Sequence, residues 1–231
     1  MSAIPDVGVV IAAGGAGTRV GGKELKQFRW VAGKPMLLHS VQRFQARPDV
    51  ALVVCVLPRT VAGDPPPWLF QCDTERMIVT IGGDTRTESV RSGLEELPAH
   101  CRVVLIHDAA RPLVTDDTID RVVAEARAGR GAVAALPVVD TLKRVDAHGR
   151  IGGTVGREGL WRAQTPQGFP REMIVRAHAR AMALGLDATD DAAHCERDGA
   201  EIVVVPGSER ALKITGESDF ARAEALKGLD T

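Results

Sequence analysis

The sequence predicts an α/β fold: a three-layer, Rossmann-like domain with helices on both faces of a mostly parallel sheet, plus a protruding β-hairpin arm. Three observations predict it. Short runs rich in Val, Ile and Leu alternate with helical patterns along the chain. Those runs are continuously apolar, as strands buried on both faces are. Three of them end in glycine, alanine or aspartate, at Ala12–Gly15, Gly82–Asp84 and Asp108–Ala110. The carboxyl ends of strands are where ligands sit in open parallel sheets.

Val7–Ile11 reads as the first buried strand. Pro35–Phe44 reads as a helix opened by proline, whose fixed φ suits a first turn. Val50–Leu57 is the next strand, and Val61–Pro67, ending in three prolines, is a connector. Met77–Ile81 is a strand followed by a helix, where Thr85 and Glu88 form a capping-box pattern and Val90, Leu94 and Leu97 keep helical spacing. Arg102–His107 is a strand, and Thr115 caps a helix with Ile119, Val122 and Ala126 on its core face. Ala132–Val138 is a strand. Pro170–Met182 and Asp190–Arg197 read as helices, Val203–Val205 and Leu212–Ile214 as short strands, and Glu217–Leu226 as the closing helix.

The rhythm breaks once. Thr141–Val145 and Ile151–Val155 flank the turn-rich Asp146-Ala147-His148-Gly149, a hairpin signal. A lone hairpin is barely stable in water. The arm, about residues 139–159, is therefore expected to pack on something, and a second copy of the chain is the natural candidate. The length of 231 residues suits one domain spanning 1–231.

Lys and Arg number 29 against 30 Asp and Glu. That balance gives no global basic surface for nucleic acid or an anionic membrane. No apolar stretch is long enough to span a bilayer. The four cysteines are scattered without a C-x-x-C, and no signal peptide is evident at the N-terminus. A reducing cytoplasmic location is expected.

Chemistry concentrates in the segment after the first strand, Ala12-Ala13-Gly14-Gly15-Ala16-Gly17-Thr18-Arg19. Small residues let backbone amides approach an anion closely. Arg19 and Lys26 stand near enough in sequence to pair with phosphate oxygens. Two familiar phosphate loops do not fit. The dinucleotide fingerprint meets Val20 at its third glycine, and the P-loop pattern meets Glu24 where it requires a hydroxyl. Asp108 at a strand end is placed to hold a divalent metal together with phosphate oxygens. No His/Cys cluster has zinc spacing, and no serine sits in a nucleophile elbow.

Taken together, Gly14–Arg19, Lys26-Gln27-Phe28, Gly82-Gly83-Asp84, His107–Pro112, Asp140–Lys143, Gln164–Gln167 and Lys213 resemble the 2-C-methyl-D-erythritol 4-phosphate cytidylyltransferase family, in order over almost the whole chain. Leu25 departs from it, standing where the family usually has proline. The resemblance implies a nucleotidyltransferase domain that moves CMP from CTP to 2-C-methyl-D-erythritol 4-phosphate in isoprenoid precursor synthesis, giving a CDP-alcohol and pyrophosphate with Mg2+ assisting. It implies that Arg19, Lys26 and Lys213 act on the phosphates and that Asp108 binds the metal. CTP is expected at Ala12, Ala13, Gly14, Gly15, Gly17, Gly82, Asp84 and Ser89. The polyol phosphate is expected at Asp108, Thr141, Arg157, Thr165, Thr189 and Asp190, with Thr141 and Arg157 reaching across a homodimer from the arm. The alternatives are a ribitol-5-phosphate cytidylyltransferase, which would share the CTP site, and a non-catalytic nucleotide-binding dimer.

Overall fold

The computed structural model of the chain describes residues 4–15 and 25–228. Two expected site residues, Gly17 and Arg19, lie outside the described residues. In chain order the elements are β1 (Val7–Ala12), β2 (Trp30–Val31), β3 (Lys34–Pro35), α1 (Met36–Gln45), β4 (Val50–Leu57), α2 (Arg59–Ala62), β5 (Met77–Ile81) and α3 (Arg86–Glu95). There follow β6 (Val103–Asp108), α4 (Asp116–Arg127), β7 (Gly131–Pro137), β8 (Leu142–Val145), β9 (Ile151–Val155) and β10 (Trp161–Pro170). The chain closes with α5 (Arg171–Ala183), α6 (Asp191–Arg197), β11 (Ile202–Pro206) and α7 (Glu217–Lys227).

The main sheet has seven strands in the order β11-β7-β10-β6-β1-β4-β5. All its neighbours pair in parallel except around β10, which runs antiparallel to both β6 and β7. Alternation along β1 divides the core. Val9 and Ile11 face one side with Leu37, Val41 and Phe44 of α1 and Ile119 and Val122 of α4. Val10 faces the other with Val90 and Leu94 of α3, Ile174 and Ala177 of α5, and Ala192 and Cys195 of α6. The period of two thus turns one continuously apolar strand into the floor of two helix layers. The approach is close at Gly93, where a Cβ would stand 2.5 Å from a Val10 methyl.

Three readings need correction. Trp161–Pro170, unread as a strand, is β10. Its Pro166 falls where the ladder with β7 is interrupted, between Ala163 and Gln167, so the missing N–H costs no ladder bond. Leu212–Ile214 is not a strand. Ile214 is buried with Val31, Met36, Leu113 and Phe220, and its N–H donates to the Ala110 carbonyl at 2.8 Å. The Val61–Pro67 connector begins inside the short α2. The hairpin forms as read, with β8 pairing β9 in a two-stranded sheet of its own.

Candidate active site

Strands β6, β1, β4 and β5 are parallel neighbours, so their carboxyl ends share one edge of the sheet. The segments that leave those ends line a cavity of about 640 Å3: Ala12–Gly15 after β1, Pro58 and Arg59 after β4, Gly82–Arg86 after β5, and Asp108–Ala110 at the end of β6. Lys26, Gln27, Ser89, Lys213 and Thr215 complete the wall.

Around Ser89 the wall of the cavity is made of small residues. A Cβ on Gly14 would stand 3.1 Å from Ser89 Oγ, and one on Gly82 2.8 Å from it. Bare backbone on both sides therefore admits the serine hydroxyl, which donates to the Gly83 carbonyl at 3.4 Å. The turn beneath is fixed by a capping box. Thr85 Oγ1 accepts from the Glu88 N–H, while Glu88 Oε2 accepts from the N–H groups of Asp84 and Thr85. The result is a narrow recess of main-chain groups with one hydroxyl.

Asp108, Lys26 and Lys213 bring charge to the same cavity. Asp108 Oδ2 accepts from Lys213 Nζ at 2.7 Å, and its Oδ1 stands 3.5 Å from Arg86 Nη2. Burial pushes the Asp108 carboxyl up, but the Lys213 ammonium and the Arg86 guanidinium outweigh it and bring it down to about 2. Asp108 is an anion at any physiological pH. Lys26 Nζ donates to the Ile214 carbonyl at 2.9 Å, which ties the turn at Lys26–Phe28 to the segment carrying Lys213. The buried Gln27 amide donates to the carbonyls of Ala13 and Gly15 at 2.7 and 3.3 Å. Carbonyl oxygens that would repel an anion are thereby occupied at the mouth of the glycine-rich segment.

Below Asp108 a hydrogen-bond chain sets its backbone. The Asp108 N–H donates to Thr165 Oγ1 at 3.0 Å, so the hydroxyl hydrogen goes to His107 Nδ1 at 3.1 Å. His107 then carries its proton on Nε2 and donates it to the Arg111 carbonyl at 3.1 Å. Burial pushes the His107 imidazole down to about 4, so it is neutral. Arg86, from the first turn of α3, also pairs with Asp191 at 2.7 Å. Asp191 is fully buried and accepts from His178 Nε2 at 3.2 Å. Burial raises the Asp191 carboxyl, but the His178 hydrogen bond and the Arg86 charge more than offset it and hold it below the usual range.

Of the expected site residues, the cavity gathers Ala12, Ala13, Gly14, Gly15, Lys26, Gly82, Asp84, Ser89, Asp108 and Lys213. Thr165 is buried under Asp108 and is not part of the lining. Asp190 caps α6 by accepting from the Ala193 N–H and takes a bond from Gln167 Nε2. Thr189 is exposed just before it. Thr141 and Arg157 are exposed at the arm, where Arg157 donates to the Val139 carbonyl. None of these four lines the cavity. Sequence reasoning missed Arg86 and the function of Gln27. Arg86 had a usable signal, since it follows the capping-box Thr85 immediately after a glycine-rich strand end.

The geometry has close counterparts. Residues 7–228 match the family described as IspD: 2-C-methyl-D-erythritol 4-phosphate cytidylyltransferase. The chain belongs to that family. It is 44% identical over 227 residues to the 2-C-methyl-D-erythritol 4-phosphate cytidylyltransferase of Streptomyces coelicolor, covering 94% of this chain and 83% of that one. It is 46% identical over 225 residues to the bifunctional enzyme IspD/IspF of Rhodospirillum rubrum, covering 95% of this chain and 56% of that one. The chain thus spans about half the length of the bifunctional relatives it matches and most of the length of the others. The crystal structure of the Thermus thermophilus cytidylyltransferase superposes with a TM-score of 0.81 at 35% identity, covering 96% of this chain and 98% of that one. IspD members are cytidylyltransferases on this α/β fold. Among the described residues, no helix is long and apolar enough to cross a membrane.

Proposed function

We propose that this IspD member transfers CMP from CTP to 2-C-methyl-D-erythritol 4-phosphate, releasing pyrophosphate. The observation that carries the reading is that one cavity joins a small-residue recess at Gly14, Gly82 and Ser89 to the charged groups of Lys26, Asp108 and Lys213. A pyrimidine nucleotide has two parts to match. Main-chain carbonyls beside the recess can accept from the cytosine exocyclic amine, which uracil lacks.

A phosphate oxygen of the polyol phosphate attacks the α-phosphorus, and the bond from that phosphorus to the bridging oxygen of the leaving pyrophosphate breaks. The attacking phosphate is largely ionised at neutral pH, so no general base is needed. The buried, neutral His107 has no proton to take. The protein's work is alignment and charge neutralisation. Lys26, with Arg19, grips the phosphates and stabilises the charge that builds at the reacting phosphorus. Lys213, on the segment that Lys26 contacts through the Ile214 carbonyl, leaves Asp108 to hold phosphate oxygens beside it.

Among the described residues no group of three His, Cys, Asp or Glu could hold a metal ion. Asp108 offers one ionised carboxylate at the cavity. A single carboxylate fits magnesium, which takes one or two protein oxygens and completes its shell with substrate phosphates and water. Mg2+ bound there with the nucleotide would supply charge neutralisation across the phosphate oxygens.

The arm, residues 139–159 of a single catalytic domain, belongs to a dimer in this reading. Val139, Val145, Ile151, Leu160 and Trp161 are exposed on it and beside it, as a surface covered by a second copy requires. Thr141 and Arg157 would then reach the partner's cavity, where a guanidinium fork matches a phosphate. Free thiols at Cys55, Cys72, Cys101 and Cys195 agree with a reducing cytoplasm. The test is pyrophosphate release from Mg-CTP with either 2-C-methyl-D-erythritol 4-phosphate or ribitol 5-phosphate. Faster turnover with the first is expected. A preference for ribitol 5-phosphate would replace the acceptor, and no release with either would favour a nucleotide-binding dimer.

A further inference from the structure

We propose that Arg86 is a positioning residue: braced by buried Asp191, it holds the Asp108 carboxylate toward the cavity and so frees Lys213 to move to an incoming phosphate. The inference rests on the proposed reading in which Lys213 receives substrate phosphate.

Among the described residues Asp108 has two ion-pair partners, Lys213 and Arg86, with the buried Arg111 guanidinium acting on it only through space, and the two partners are anchored differently. Lys213 Nζ contacts it at 2.7 Å, and that side chain is 46% exposed. Nothing in the pair prevents a flexible ammonium from exchanging one anion for another. Arg86 is 28% exposed, and its second nitrogen is 2.7 Å from a carboxylate that is fully buried. Asp191 is locked in turn. Its backbone N–H donates to Gln167 Oε1 at 3.1 Å, and its Oδ1 accepts from His178. A planar fork can address two carboxylates at once, which an ammonium does less well.

The consequence concerns ligand entry. An anion that recruits Lys213 takes from Asp108 its nearest counter-charge. A part-buried carboxylate left alone would resist that loss or turn away from the cavity. Arg86 cannot follow the ligand without abandoning Asp191, so Asp108 keeps one partner and its place. Arg86 therefore lowers the cost of releasing Lys213. It acts through Asp108 rather than by touching the phosphate.

A binding cycle tests this. The paired variant Arg86→Gln with Asp191→Asn removes both charges of the buried pair and keeps their size. Inorganic pyrophosphate is titrated into protein without divalent metal by calorimetry, in the native and Asp108→Asn backgrounds. Expected is about tenfold weaker binding in the native background, the loss of roughly one charge-assisted contact, and less than a twofold change once Asp108 is Asn. Equal losses in both backgrounds would make Arg86 a direct phosphate ligand and overturn the proposal, as would no loss in either. If the paired variant does not fold, Arg86→Lys serves in the same cycle, since lysine cannot brace both carboxylates equally. Wild-type turnover of Mg-CTP is measured alongside. Its absence would sink the proposed reaction, whereas turnover with an additive cycle would sink only the positioning role.

Discussion

The cavity and the arm are built on opposite terms. Around the cavity, polar side chains are fixed by distant parts of the same chain: Lys26 by Ile214, Gln27 by Ala13 and Gly15, Asp108 by Lys213 and Arg86. On the arm, the bonds are local, such as Lys143 to Thr154 and Arg150 to Asp146, and the apolar residues Val145 and Ile151 face outward. Each region therefore takes its order from a different source. Long-range contacts pre-set the cavity's charges before a ligand arrives, which lowers the cost of binding and of reaction. The arm's outer surface, apolar and exposed, is where the proposed dimer would supply the complement.

If the cavity is the reaction centre, Lys26→Ala gives the largest effect. A cation matched to the reacting phosphorus acts at the transition state, so turnover should fall about 10²- to 10³-fold while CTP affinity changes little. Steady-state kinetics with calorimetric CTP binding checks it. Unchanged turnover would take Lys26 out of the mechanism.

The next experiment joins the two regions. Arg157→Ala subunits mixed with Lys26→Ala subunits should regain about half of wild-type turnover per heterodimer, because one of the two sites then holds both residues. Each variant alone should stay far below that. No recovery in purified heterodimers would mean that the arm does not complete a partner's cavity.

The cavity and the arm also differ in how far local sequence reveals them. Continuous apolar runs announced β1, β4, β5 and β6, and their small or acidic ends announced the cavity, because both signals are local. Strand β10 was hidden because Trp161–Pro170 is polar and carries two prolines, and only the interrupted ladder makes Pro166 acceptable there. Leu212–Ile214 misled for the converse reason: an apolar residue can be buried by docking one side chain, as Ile214 is, without joining a sheet. Arg86 was passed over because its meaning lies in Asp191, about a hundred residues away, which no spacing reveals. The arm was readable as a hairpin, yet its expected partner is a matter of surface.

Beneath the cavity, His107 gives a smaller, pH-dependent effect. Its imidazole is lowered from 6.5 to about 4 by burial. The unfolded chain therefore binds the proton first as pH falls. The stability contributed by the neutral ring is complete above pH 6.5 and is lost progressively down to about pH 4, on the order of 3 kcal/mol. Denaturant titrations of wild type and His107→Gln across that window should differ in slope, with the variant flatter. Parallel curves would place the acid sensitivity elsewhere.

The smallest effect on folding should come from the arm. Val145 and Ile151 sit opposite each other across β8 and β9, 56% and 67% exposed. Replacing both by Asp removes an apolar pair that is more than half exposed, so apart from the local like-charge repulsion across the pair, folding stability should move by no more than about 0.5 kcal/mol per site. Association should suffer far more, since two carboxylates would be buried against an apolar face. Sedimentation should therefore show a dimeric wild type and a monomeric variant, with nearly the same melting temperature when both are measured well below the dissociation constant. A variant that stays dimeric would move the interface off the arm. One that melts far lower at the same dilution would show the arm packed on its own sheet. Either result would remove the contrast between a cavity ordered from within and an arm ordered from without.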